Sequence, residues 1–173
     1  AELILVVVLS MNIQNIRPGT ATAMFFAYAV LTGINLSVYF VVYNLATLIL
    51  AFLVGALYFG IMAVYGMRTQ KDLTGWGPKL MGGLFALLIV SVFGMLFVGN
   101  FGGFDIVLCG IGLLIFMGFT AYDTQKLRSM YSYFGGDAAM LHKSSIIGAL
   151  QLYLDYINIF LYVLRLLGRS RNN

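Results

Sequence analysis

The fold class that this sequence predicts is an all-α, polytopic membrane bundle, and three observations predict it. Of 173 residues, 61% are hydrophobic and only 9% are charged, with a mean hydropathy of +0.95. A soluble domain carries roughly 25% charge to cover its surface; ten Lys and Arg with six Asp and Glu fall far short of that. Residues 18–67 contain no Lys, Arg, Asp, Glu or His. The basic residues, finally, collect in alternate connections. A soluble enzyme, a disordered tail and a disulfide scaffold are excluded, and lipid is the solvent for most of the surface.

Each span follows from the length needed to cross. About 20 apolar residues traverse a ~30 Å hydrocarbon core. Fifty helical residues from 18 to 67 would reach about 75 Å, so the stretch must fold back, with the turn expected near Tyr43 and Asn44. This gives spans at about 20–42 and 45–66. The segment MRTQKDLTGWGP, residues 67–78, combines charge, Gly and Pro and reads as a loop. A span at about 79–98 follows. The glycine-rich turn 99–104 leads into another helix from about Asp105, expected to outlast the bilayer because YDTQKLRSMY holds no breaker before Gly135. A polar connector at about 132–143 precedes a last apolar segment, 144–168, with Asp155 at its middle. Residues 2–13 are apolar but too short to cross, and residue 1 is Ala. They are expected to be the second part of a span whose beginning is missing, so that residues 1–173 form a single, N-terminally truncated bundle domain.

Loop charge orients this bundle. One side collects Arg17, Arg68, Lys71, Lys79, Lys126, Arg128 and Lys143, seven in all, against none in the connections near residues 43–44 and 99–105. By the positive-inside rule the first side is cytoplasmic. Arg165, Arg169 and Arg171 are the exception if the last helix spans fully. The net charge of +4 thus reports orientation, and no nucleic-acid partner is expected. Cys109 is the single cysteine and permits no internal disulfide. Nothing resembles a nucleotide loop, a zinc ligand cluster or a Cys-His pair, so no cofactor is expected.

Two acids inside the apolar segments carry the functional reading. An ionisable residue at mid-membrane costs on the order of 3 kcal/mol on insertion scales and marks a functional site by default. Asp123 and Asp155 are placed symmetrically about residue 139, near the middle of the expected connector. In an antiparallel hairpin both would lie roughly 13–18 Å from that connector, at one depth. Two carboxylates in a dry site share a proton more readily than they carry two charges. Ionised, they must separate, recruit a cation or pair with an arginine, and Arg17 has about the right depth to serve. The same residues admit a structural reading: Asp123 paired with Lys126 at i+3, Asp155 bonded to Asn158 or Gln151 on its own helix, and Arg17 purely topological. His142 reads as a solvated connector residue, Asp105 and Asp137 as caps, and Thr32, Asn35 and Ser37 as polar links across helices.

PGTATAMFFAYAVLTGINLS (18–37), FTAYDTQKL (119–127) and above all LQLYLDYINIFLYVLRLLG (150–168) resemble the transmembrane Bax inhibitor motif family in its compact bacterial form. The resemblance covers nearly the whole chain in order. It implies six helices around a central, acidic C-terminal helix, hence seven spans of which this chain would carry six, in a bacterial plasma membrane. It also implies a pH-sensitive calcium leak, with the family's aspartate pair falling on Asp123 and Asp155. Family members can place an arginine that latches the pair, for which Arg17 is the candidate here.

The leading expectation is therefore a calcium leak channel governed by a proton-sharing aspartate pair, with calcium and protons as partners, calcium bound transiently by Asp123 and Asp155, and no enzymatic activity. Carboxylate oxygens suit a hard divalent cation, and two of them suit leak better than storage. A non-catalytic membrane regulator acting through protein partners is the alternative. An intramembrane aspartyl protease also needs two acids at one depth, but its second acid follows Gly-x-Gly, whereas Asp155 follows Leu152, Tyr153 and Leu154.

Overall fold

The computed structural model describes residues 18–97, 102–134, 136 and 138–170. These form α1 (Pro18–Ser37), a short α2 (Tyr39–Val42), α3 (Leu45–Arg68), α4 (Trp76–Phe97), α5 (Gly102–Phe134) and α6 (Ala138–Ser170). Five stretches are long and apolar enough to cross a membrane: Thr22–Val42, Leu45–Arg68, Trp76–Gly94, Gly103–Tyr133 and Met140–Gly168. The five full spans expected from hydropathy are all present. Residues 2–13, together with Arg17 and Asp137, lie outside the described residues.

The helix boundaries have local causes. Around Val38 the backbone tightens into i→i−3 bonds, Val38 N–H to Asn35 at 3.3 Å and Val41 N–H to Val38 at 3.1 Å, which separates α2 from α1. Asn44 then caps α3: its Oδ1 accepts from the Thr47 amide and the Thr47 hydroxyl, both at 2.8 Å, satisfying a donor that a helix start otherwise leaves free.

Both connections at the basic end are shorter than the sequence suggested. The loop between α3 and α4 is confined to residues 69–75, and helix continues through the polar residues 132–134 and 138–143, once expected as connector. Tyr, Met, Leu, Lys and Ala in these stretches are adequate helix formers, and polarity alone does not break a helix that leaves the bilayer. At 33 residues each, α5 and α6 reach about 50 Å, well beyond a ~30 Å core.

The last helix organises the bundle. It packs on α5 most extensively, then on α3 and α1, while α5 also holds α3 and α4. Leu48 and Ala51 of α3, Phe116 and Phe119 of α5, and Ile159, Val163 and Leu164 of α6 form the core. A second, smaller cluster joins Tyr28 of α1 to Leu150 of α6, with Phe25 and Tyr28 meeting the Tyr153 ring edge-on. Outside these seams the apolar side chains point outward: Val41 is 88% exposed and Leu96 71%. Such a perimeter is stable only against hydrocarbon.

Because lipid tails are as apolar as leucine, close backbone approach rather than burial holds such helices together. Gly66 is the clearest case: a Cβ there would run into the Ala121 carbonyl of α5. The residue that precedes Tyr122 and Asp123 is therefore pinned to the end of α3.

Candidate functional site

The two acids meet a polar layer built by α5. Thr120 is fully buried, and Asp123, Thr124 and Asp155 are 8%, 6% and 4% exposed. Each threonine disposes of its hydroxyl within the helix. Thr120 Oγ1 donates to the Phe116 carbonyl at 2.9 Å and Thr124 Oγ1 to the Thr120 carbonyl at 2.6 Å, the usual way a hydroxyl is tolerated in a buried helix. The carboxylates have no such local escape. Asp155 Oδ2 is buried without a hydrogen-bond partner among the described residues, a costly condition in a dry interior.

Asp123 and Asp155 line one cavity of about 730 Å³ with Tyr28, Tyr122, Lys126, Gln151 and Asn158. The structure brings together the two acids that the sequence singled out, but the depth argument needs a correction. Leu127 packs on Gly148, Gly112 meets Tyr162, and the Thr120 side chain is the polar neighbour of Asp155. This register centres the hairpin on the shorter connector rather than on residue 139. Asp155 is consequently level with Thr120, and Asp123 lies three residues, about 4.5 Å, nearer the connector. The pair is staggered by most of a turn.

Of the local partners in the structural reading, Gln151 lines the same cavity, Asn158 is engaged on its own helix and Lys126 acts on Asp123. Asn158 Nδ2 donates to the Leu154 carbonyl at 2.8 Å. Lys126 holds its ammonium 5.9 Å over the Tyr122 ring, a cation–π distance, while still acting on Asp123 through its charge. Among the described residues no three His, Cys, Asp or Glu side chains cluster as a metal site, so any cation would have two carboxylates and neutral oxygens to bind. Arg17, the expected latch, lies outside the described residues. His142 is exposed on α6, and Asp105 sits in the first turn of α5, where an acid complements the helix dipole.

Sequence reasoning missed what Gln125 does. Its Oε1 accepts from the Leu73 amide and its Nε2 donates to the Lys71 carbonyl, both at 2.8 Å. Arg128 hydrogen-bonds the Met67 carbonyl. A polar residue one turn beyond an apolar run was the available signal. Its partners lie more than 50 residues away, which no local pattern reveals.

At the opposite end lies Arg165, one of the three arginines that depart from the loop-charge pattern. It shares a cavity of about 290 Å³ with Asp105, Ser91, Cys109 and Tyr162 and hydrogen-bonds Tyr39. A cation at that end of a full-length α6 is thus accompanied by an acid.

Long apolar helices, lipid-facing perimeter and buried acids define an integral, polytopic helical membrane protein. The chain belongs to the family described as inhibitor of apoptosis-promoting Bax1, whose model matches residues 1–172. It is 41% identical over 172 residues to the inner membrane protein YbhL of Escherichia coli K12, covering 99% of this chain and 73% of that one. A Deinococcus radiodurans protein is 43% identical over 175 residues, with 99% and 73% covered. An uncharacterized membrane protein of Streptococcus pyogenes serotype M3 is 35% identical over 169 residues, with 98% and 72% covered. These relatives agree with a bacterial membrane as the location.

Proposed function

We propose that the protein is a pH-sensitive calcium leak pathway in which the staggered aspartate pair is the gate. One observation carries this reading: two buried carboxylates line a single large cavity, and one of their oxygens has no hydrogen-bond partner among the described residues. An orphaned carboxylate oxygen is a seat for a proton or a cation.

The surroundings suit such an exchange. Thr120 places its hydroxyl within reach of both the Phe116 carbonyl and Asp155, so it can donate to an ionised Asp155 or accept from a protonated one. That environment accepts a hydrogen bond from a protonated Asp155 and joins an ionised one as a further oxygen ligand around calcium, a hard cation that takes oxygen. With the pair protonated, the cavity lacks the negative charge that draws a divalent ion out of water. With it ionised, the stagger leaves room for an ion to lean on Asp123 and Asp155 in succession. Two carboxylates bind such an ion weakly enough to release it, as conduction requires. Lys126, beside the mouth, opposes cation entry and limits the flux to a leak.

The experiment is calcium flux into proteoliposomes of the full-length protein across a pH series. A flux whose pH dependence disappears in Asp123→Asn and Asp155→Asn supports the reading. Flux absent from the wild-type protein at every pH removes it and favours action through a protein partner.

A further inference from the structure

We propose that residues 69–78 act as a cap on the aspartate cavity, which only their far end, Gly77 and Pro78, lines, and that Gln125, on the opposite face of α5, is the latch that holds the segment in place. This rests on the reading of the cavity as the ion pathway and adds the element that controls access from the basic side.

The strap is ordered by its own bonds. Thr69 N–H closes on Tyr65 at 2.8 Å, Trp76 N–H returns to the Leu73 carbonyl at 2.8 Å, and the Thr74 amide donates to Asp72 Oδ1 at 2.8 Å. Leu73 is 2% exposed, so the strap folds inward onto the bundle. Its far end reaches the cavity itself, because Gly77 and Pro78 line it beside Tyr122 and Lys126. Gly77 lies so close to Tyr122 that a Cβ would stand 2.8 Å from its Cζ and Oη. The far end of the strap is therefore held close against α5.

What seats it is one side chain. A primary amide presents a donor and an acceptor in one plane, and Gln125 uses one of each, on Lys71 and Leu73. Gln125 stands two residues beyond Asp123, which on a helix is about 200° around: one faces the strap while the other faces the cavity. Closing the strap over Gln125 thus fixes the rotation of the turn that carries Asp123 and lays Gly77 against Tyr122. Glu would keep the acceptor for Leu73 and lose the donor for Lys71. Met would keep the volume and lose both bonds.

The test reads access directly. Leu154, a cavity-lining residue, is replaced by cysteine in a Cys109→Ala background of the full-length protein. A membrane-impermeant, cationic methanethiosulfonate is then applied from each side of membrane vesicles. The cap requires Gln125→Met to raise the modification rate from the basic side about tenfold, Gln125→Glu to fall between, and the rate from the other side to stay unchanged. Equal rates in all three proteins overturn it. Should the variants fail to fold, amide exchange in the unmodified protein decides: the cap requires the Leu73 amide to be far better protected than that of Lys71, and equal fast exchange overturns it. Calcium flux is measured in parallel. Faster modification with unchanged flux establishes the cap while removing the calcium reading, so the two fail separately.

Discussion

Asp155 on α6 stands level with Thr120 on α5, whose hydroxyl is shared between that carboxyl and the Phe116 carbonyl 2.9 Å away. The most deeply buried acid among the described residues thus has a hydroxyl neighbour that it must share. A carboxylate in that position gains from a proton or a cation, and the remaining oxygen, Oδ2, has no hydrogen-bond partner among the described residues.

Neutralising either acid should then abolish most of what neutralising both abolishes. Asp123→Asn and Asp155→Asn are each expected to remove most of the pH dependence of calcium flux, and the double variant to add little, because groups that act as one unit are non-additive. Proteoliposome flux measured for all four proteins checks this. Two independent, additive losses would mean that the acids do not act as a pair.

Removing the hydroxyl beside Asp155 should be equally telling. Thr120→Val removes the hydroxyl while keeping the shape, and leaves Asp155 without its polar neighbour. The expected outcome is a shifted pH midpoint with the fold intact, the cost of the lost contact being about 1–3 kcal/mol. A midpoint identical to wild type would show that Thr120 is only filling space.

The orientation is open to direct labelling. Cysteines placed at Thr69 and Ser132, with Cys109 replaced, should react with an impermeant maleimide from the cytoplasmic face alone, as the seven basic residues on that side require. Reaction from the external face alone would invert the bundle.

The crossing of α3 over α5 should tolerate almost nothing. At Gly66 the obstacle is the Ala121 backbone, which cannot rotate aside as a side chain would. Gly66→Val is expected to cost at least the 1–3 kcal/mol typical of an overpacked core, read as a lowered midpoint of thermal unfolding in detergent. Gly82, which has nothing near its Cβ position, is the control and should accept alanine with little change.

Loop acidity gives a further sign. The Thr74 hydroxyl, and then the Thr74 backbone N–H, hold the Asp72 carboxyl below the ordinary carboxylate range. A group with a depressed folded value stabilises the strap above its unfolded value, near pH 3.9, and loses that contribution as pH falls through the folded one. Asp72→Ala should therefore lower the protection of the Thr74 amide at pH 7, and the difference from wild type should close in strong acid. A difference that persists undiminished there would assign the effect to something other than this carboxylate.

Much of this architecture is written in local composition. An uncharged run of fifty residues must fold back, and Asn44 can cap only one of the helices that result. The two acids were equally legible, since an ionisable side chain in an apolar helix has so few reasons to be there. What composition could not supply was register. The connector was expected to be long because residues 132–143 are polar, whereas helix persists through most of them, and the centre of the hairpin moves with it. Hence the pair was found but its stagger was not. The Gln125 latch was invisible for a related reason: an amide says that it will bond, and only the fold says to what.

The seam between α1 and α6 has a mechanical consequence. Among the described residues the α3–α5–α6 core is cross-braced, each helix touching the other two, while α1 is held mainly by α6, at the patch around Tyr28 and Leu150. Pulled from its N-terminal side, such a molecule yields in two stages: a satellite helix peels away at low force, and a three-helix spine resists until much higher load. Tyr28 belongs to the satellite and also forms part of the cavity wall. The first stage would therefore breach the cavity along its length while leaving both aspartates in place on the intact spine.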